Sequence, residues 1–398
     1  MNDVEEILHR TFGQATGQAP RLPGQLPAHL ERIHLRRRRR ARMALTAAAV
    51  VLIAGGTTAV LRGGSDITTV VQGEVASGPS AVTPAEHVER VWPEAVRRIP
   101  AQAPDGASWR PVTFIDDRTL LMSVDSERTA ALYAYDLEGD TQRKIAAVPV
   151  PKGTTSFPNG EAVGGGHVVW WTATKDGVAH LWAVPLEGGT PRIVADHGIP
   201  EGDDGSGIDR LAVVDDRIVF SLYVGGVFTV PLGGGTVEPV ERGAGMHLLA
   251  WPWVGTPGTG GEPTGPRFAR IQNVETGETR TAVTHPDEQL ISCGVTLCQG
   301  STSEGSFFRH RDGSSQKNVP GHVSTPNPPV QDRVYVSAYG DGKPEGIGLY
   351  DLDSGKSGYL GIKGEGDSIS LPFTDRTDRL LSYTLGDDLY LIDLSKVR

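Results

Sequence analysis

The stretch Leu181-Trp182-Ala183-Val184-Pro185-Leu186-Glu187-Gly188-Gly189 alternates apolar residues and then breaks into a glycine turn, and the chain repeats this arrangement. Close copies stand at Tyr135-Asp136-Leu137-Glu138-Gly139, Val230-Pro231-Leu232-Gly233-Gly234 and Tyr350-Asp351-Leu352-Asp353-Ser354-Gly355. Weaker ones stand at Gln272-Asn273-Val274-Glu275-Thr276-Gly277 and His310-Arg311-Asp312-Gly313, and Ile392-Asp393-Leu394 is the last. Taken as equivalent, these turns recur about every 43 residues, the period of a four-stranded propeller blade. The reading is an all-β chain, a β-propeller of about seven four-stranded blades.

A second marker runs in phase with the first. Asp-Arg precedes an apolar strand at Asp117-Arg118, Asp216-Arg217, Asp332-Arg333 and Asp378-Arg379. The interval from each to its outer turn leaves room for a strand, a hairpin tip and a second strand. Tips of the required kind lie between them, such as Lys175-Asp176-Gly177, Gly225-Gly226 and Gly386-Asp387-Asp388, because tight turns joining twisted strands need positive φ. The 51 Gly and 28 Pro suit such a fold and exclude a mainly helical one.

The N-terminal region is built differently. Met43 to Leu61 carries no charge, and about 20 such residues in a helix cross a bilayer. The basic cluster Arg36, Arg37, Arg38, Arg39, Arg40 and Arg42 directly precedes it. By the positive-inside rule this keeps residues 1–42 in the cytoplasm and sends the rest across, as a single-pass cell-membrane protein with an extracytoplasmic C-terminal domain. The competing reading is a cleaved signal peptide with a long leader. The organisation expected is a basic tail (1–42), a transmembrane helix (43–62), a stalk with a short helical lead-in capped by Thr83 (63–108), and the propeller (109–398). Within the tail, Val4, Ile7, Leu8 and Phe12 share one helix face, open to a cytoplasmic partner or to the membrane surface.

Charge is divided along the same lines. The total of −10 contains a tail of nine arginines against four acids, +5, so the remainder is −15. Such a domain repels nucleic acid, which is excluded as its partner, while the arginine run suits anionic lipid headgroups.

These features resemble the membrane-anchored, TolB-like or WD40-like β-propeller proteins of actinobacteria. The likeness is carried by Val91-Trp92-Pro93-Glu94, Tyr133-Ala134-Tyr135-Asp136-Leu137, Leu181 to Gly189 and the arginine stretch before the span. It implies a propeller on a membrane stalk, and some members look like companions of extracytoplasmic-function sigma factors. Here the tail has His9, His29 and His34 but no Cys, a departure from zinc-binding anti-sigma domains.

Cys293 and Cys298, with four residues between them on the expected oxidising side, read as a hairpin disulfide rather than a redox or metal pair. No G-x-S-x-G, H-E-x-x-H or P-loop occurs, so no catalytic residue and no cofactor is assigned. Glu201 to Asp209 holds several carboxylates without EF-hand spacing, which leaves Ca²⁺ as an alternative to a solvated turn. Trp251-Pro252-Trp253 beside the Gly/Pro-rich insertion 255–266 reads as core or as a ligand rim. Two functions survive. One is a non-enzymatic binding or sensory module for a protein, peptide or envelope ligand, with a regulatory link through the tail. The other is an extracytoplasmic glycan hydrolase or lyase whose site is assembled from rim loops.

Overall fold

In the strand His167–Thr174, alternate side chains part company: Val168 and Trp170 enter one hydrophobic cluster, Val169 and Trp171 another. The two-residue period of a strand, buried on both faces, makes every strand of this kind contribute to two cores. Leu121 likewise faces one way and Leu120 and Met122 the other, as do Val219 against Ile218 and Phe220. The core is therefore a ring of seams between neighbouring sheets. Each fully buried Leu or Phe in it contributes roughly 1.5–3 kcal/mol.

The computed structural model describes residues 57–58, 70–72, 82–104, 106–125, 130–200, 207–258, 265–303, 305–319, 329–340, 343–366 and 368–398. They form a seven-bladed β-propeller. Blade 1 comprises Trp109–Phe114, Thr119–Asp125, Ala130–Asp136 and Thr141–Val148; blade 2 comprises Thr154–Gly164, His167–Thr174, Val178–Pro185 and Arg192–Gly198. Blade 3 is Ile208–Val214, Arg217–Leu222, Val227–Pro231 and Glu238–Pro239; blade 4 is His247–Ala250, Trp253–Thr256, Arg270–Asn273 and Thr279–Thr281. Blade 5 is Gln289–Cys293, Leu297–Thr302, Gly305–His310 and Lys317–Val319; blade 6 shows Val334–Tyr339, Gly346–Asp351 and Ser357–Lys363.

Blade 7 departs from the expected boundary. Its first three strands, Phe373–Thr374, Leu380–Leu385 and Asp388–Asp393, are completed by Val96–Pro100, which pairs antiparallel with Asp388–Asp393. The propeller thus begins at Val96 rather than near Trp109, and the ring is closed by a strand assigned from sequence to the lead-in. The helical lead-in before it packs onto the ring. Val88 and Trp92 are buried against blades 6 and 7, the Trp92 indole N–H donates to the Arg398 carbonyl (3.1 Å), and the Tyr359 amide donates to Glu86 (2.9 Å). A short helix, Val88–Val91, is present, but His87 rather than Thr83 caps it, its Nδ1 accepting from the Glu89 amide (3.4 Å).

Residues 1–56, with Val4, Ile7, Leu8, Phe12 and the Arg36–Arg42 cluster, lie outside the described residues. Of the expected span, Thr57–Thr58 is described, and it is a strand paired with Val70–Gln72, which in turn pairs with Ser368–Ser370. At these two positions the helical expectation does not hold. Among the described residues no helix is long and apolar enough to cross a membrane.

The outer turns explain their own recurrence. Asp136 Oδ1 accepts from the Glu138 and Gly139 amides, and Asn273 Oδ1 from those of Glu275 and Thr276, each an Asx turn that fixes the chain's reversal. The turn then reaches the next seam. Arg143 donates to the Leu186 carbonyl (3.0 Å), Arg192 to Leu232 (2.8 Å), Arg242 to Val274 (3.1 Å), Lys317 to Leu352 (3.1 Å) and Lys356 to Arg398 (3.3 Å). In the first four cases a cation on or beside one blade's outer strand caps a carbonyl in the outer turn of the following blade, and Lys356 of blade 6 does the same to the Arg398 carbonyl past the last strand of the chain, fastening neighbours at the rim.

Candidate functional site

The inner strands bring polar side chains to the axis, and there one turn does most of the joining. Residues 375–379, between the first two strands of blade 7, span the ring to blade 3. Arg376 Nη1 donates to the Asp209 carbonyl (2.9 Å), and Arg210 Nη2 donates back to the Arg376 carbonyl (2.9 Å). Arg210 Nη1 also donates to the Leu249 carbonyl of blade 4 (2.6 Å). Asp375, 3% exposed, is saturated: Oδ1 accepts from the Arg379 and Leu380 amides (both 2.9 Å), and Oδ2 from the hydroxyls of Thr113 in blade 1 (2.6 Å) and Thr377 (2.5 Å). Four donors hold this buried carboxylate in one orientation. On the inner strands Trp109–Phe114 and Thr154–Gly164, Arg110 of blade 1 pairs with Glu161 of blade 2.

Deeper on the blade 3–4 side, Asp209 Oδ2 lies 3.2 Å from His247 Nδ1 and accepts from the Ser221 hydroxyl (3.4 Å). Serine, aspartate and histidine meet here, but the serine hydroxyl points to the aspartate and not to the imidazole. That order activates no nucleophile, since the base must take the hydroxyl proton. Burial, with Asp375 and Asp332 adding to it and Arg210 opposing, pushes the Asp378 carboxyl up to about 6.

A cleft opens where blade 7 meets blade 1, lined among others by Arg97, Asp117, Arg118, Glu138, Asp393 and Lys396. Its volume of about 70 Å³ holds a few waters and little more. Its charges pair locally: Arg379 bridges Asp117 (2.7 Å) and Asp393 (2.9 Å), and Arg118 meets Glu138 (2.9 Å).

The residues singled out from sequence fall as follows. Cys293 and Cys298 are directly opposed across the first hairpin of blade 5 and joined by a disulfide, 0% and 1% exposed. Around that hairpin, Arg311 donates to the carbonyls of Gly294 (2.7 Å), Ala269 (3.1 Å) and Phe268 (2.7 Å), welding blade 5 to the insertion of blade 4. Burial pushes this guanidinium down to about 10. Of the acidic loop, residues 201–206 lie outside the described residues, and Asp209 is turned to the axis. Trp253 is buried with Phe268 and Ile271 under the Arg280 guanidinium, and Trp251 donates to Glu275 (3.1 Å), so both serve the fold. Among the described residues, no three His, Cys, Asp or Glu side chains converge as metal ligands would.

The axial cluster was not singled out from sequence. A signal for it exists: Asp375-Arg376-Thr377-Asp378-Arg379 places four charges in a turn that two residues, 165–166 or 215–216, accomplish in blades 2 and 3.

No family model matches the sequence, and no curated protein matches it. Solved structures do share its fold. An oligogalacturonate lyase from Vibrio parahaemolyticus is 11% identical over 75% of this chain and 97% of its own, with a TM-score of 0.47. TolB from Acinetobacter baumannii is 18% identical over 54% and 55%, with a TM-score of 0.34. The WD40 β-propeller domain of Doa1 is 12% identical over 76% and 99%, with a TM-score of 0.39. At these levels the likeness is one of fold alone.

Proposed function

We propose that this chain is a membrane-anchored binding or sensory module. Its propeller stands outside the cytoplasm and takes a protein, peptide or envelope ligand on one end of the ring. The observation that supports this reading is the inequality of the two ends. Among the described residues, connections at the end carrying the outer turns are six residues or shorter, whereas the opposite end carries 199–207 and 257–269, and 364–372 with its short strand Ser368–Ser370. A rigid ring that gathers its long connections at one end has the layout of a recognition surface. Exposed Val150 (49%) and Val224 (60%) stand at that end.

Other features support the compartment in this reading. A disulfide between Cys293 and Cys298 suits an oxidising environment, and the uncharged stretch 43–61 behind six arginines suits an anchor with its N-terminus inside. The tail face Val4, Ile7, Leu8 and Phe12 is then free for a cytoplasmic regulator such as a sigma factor.

The test is photo-cross-linking in native membranes with the full chain. A cross-linker placed at Lys175 or Val224 on the long-connection end captures an envelope protein or peptide, while one at Glu187 or Asp353 on the opposite end does not. Capture confined to the second pair overturns the assignment of the face. Cleavage of cell-wall glycan by the full chain, abolished by substitution of rim carboxylates, replaces the binding reading with the enzymatic one. A cytoplasmic protein captured by the full chain and lost without residues 1–42 gives the tail its regulatory role.

A further inference from the structure

Between blades 6 and 7, at the end of the ring that carries the long connections, the strand Ser368–Ser370 stands outside the blades. One of its edges is taken by the chain ahead of the propeller. Val70–Gln72 pairs with it antiparallel, Val70 opposite Ser370, Val71 opposite Ile369 and Gln72 opposite Ser368, and Thr57–Thr58 pairs in turn with Val70 and Val71.

The edge does not need this occupant to keep its shape. Ile369 is 3% exposed and packs into the seam between blades 6 and 7 with Val88, Trp92 and Leu360. On the other side the Glu365 amide donates to the Ser368 carbonyl (2.8 Å) and the Ser368 amide to the Glu365 carbonyl (3.2 Å). Without Val70–Gln72 the ring would present a fixed row of backbone donors and acceptors, a template for any extended segment. Three paired residues are a weak hold, and proximity is what favours them. Nine residues separate Gln72 from Val82, whose carbonyl the Tyr350 hydroxyl holds (2.8 Å), so the occupant stays near its edge whenever it lets go. Three residues past the edge, Phe373 is 41% exposed, the one aromatic among the large hydrophobic side chains exposed in the described residues.

We propose that Ser368–Ser370 is a strand-addition site for an extended peptide segment of the ligand, and that Val70–Gln72 is its intramolecular occupant, displaced when the ligand binds. This rests on the binding-module reading and gives the ligand its form: a peptide stretch of three or more residues, rich in β-branched side chains as Val70 and Val71 are, whose backbone replaces that of the occupant. Main-chain pairing supplies the affinity, and Phe373 is the nearby apolar contact through which side chains are selected. The occupant keeps the exposed edge from pairing with unrelated chains while the site is empty of ligand.

The first probe is a fluorescent peptide carrying residues 68–75 of this chain, added to the full chain in detergent and followed by anisotropy. Val71→Pro takes a donor from the occupant and empties the edge. The peptide binds this variant at least about tenfold more tightly than the wild type, where the tethered strand competes. Val70→Cys with Ser370→Cys, opposite each other in the register, forms a disulfide on oxidation that holds the occupant in place and abolishes peptide binding until mild reductant opens it. Equal binding to the wild type and Val71→Pro, or peptide bound to the oxidised double variant, overturns the proposal. The second probe is capture in native membranes through a cross-linker at Val224. Capture by the reduced double variant that disappears on oxidation supports strand addition by the ligand. Capture unchanged by oxidation overturns it and leaves the binding-module reading standing. No capture in either form counts against that reading alone, since the peptide result still decides the edge.

Discussion

Arg379 grips Asp393 with two parallel hydrogen bonds, Nε to Oδ1 (3.1 Å) and Nη2 to Oδ2 (2.9 Å). The two residues belong to the two sequence markers that recur through the chain, and the pairing recurs with them. Arg118 lies 3.8 Å from Asp136, and Arg333 lies 3.6 Å from Asp351. The Asp-Arg marker and the outer-turn aspartate are thus halves of one device, which ties the start of a blade's second strand to the end of its third.

Arg379 also stacks on Phe114 (4.4 Å) and reaches Asp117, so it joins blade 7 to blade 1. Lysine cannot reproduce the fork or the stacking, and Arg379→Lys lowers unfolding free energy by about 2 kcal/mol. Burial alone raises the Asp393 carboxyl, but the hydrogen bonds from Arg379 and Ser395 and the charges of Arg379 and Lys396 outweigh it and hold it below the usual carboxylate range. Its contribution is present above the unfolded carboxylate pKa of about 3.9 and disappears as pH falls through the lower folded value. Acid titration of chemical denaturation midpoints shows a shallower acid loss in Arg379→Lys than in the wild type.

Arg309 and Glu288 form an ion pair with side chains 1% and 6% exposed, and Arg309 also holds the Val283 carbonyl (2.7 Å). Removing one partner leaves a buried charge. Arg309→Met costs about 3–5 kcal/mol, and adding Glu288→Leu recovers a large part of that loss. Denaturant unfolding of the single and double variants measures the coupling, and equal losses in the two would refute it.

Gly188 and Gly234 sit in equivalent outer turns with φ of 104° and 98°, and a Cβ there would stand 3.2 Å from the Ile145 carbonyl and 3.3 Å from the Val194 carbonyl of the preceding blade. Backbone conformation and close approach both demand glycine. Gly188→Ala and Gly234→Ala each lower stability by about 1–2 kcal/mol, whereas Gly233→Ala, with open space and an ordinary φ, changes it by less than about 0.5 kcal/mol. The three melting curves decide the point.

The Cys293–Cys298 bond closes a short loop, and its constraint on the unfolded chain is worth about 2 kcal/mol. With both sulfurs buried, reductant at neutral pH leaves the folded protein unmodified by a maleimide, and labelling follows only once denaturant opens blade 5. Rapid labelling without denaturant would contradict this, and Cys293→Ala with Cys298→Ala gives the stability difference.

The blades were legible because their signals are local. An Asx turn at Asp136 or Asn273 needs amides two and three residues on, and a glycine at Gly188 answers a φ that the turn itself imposes. Seven blades follow from counting such turns. Val96–Pro100 was hidden for the opposite reason. Its sequence, Val-Arg-Arg-Ile-Pro, continues a helical lead-in, and the partner that makes it a strand, Asp388–Asp393, lies about 290 residues away. The axial cluster was hidden in the same way, since Asp375 and Thr113, or Arg376 and Asp209, meet only once the ring is assembled. The rim cations Arg143, Arg192 and Lys317 were open to view, each a few residues past an outer turn, but their acceptors are backbone carbonyls that a sequence does not distinguish.

The closing strand sets an order of events during synthesis. Val96–Pro100 emerges early and waits for Asp388–Asp393, so blade 7 cannot form until nearly three hundred further residues have followed. Any chain interrupted in between keeps an unpaired edge at Val96–Pro100 and an unfilled seam at Val88 and Trp92. The ring is thereby its own proof of completeness: a nascent chain cut short stays open, marked for proteases and chaperones by the strand it could not place.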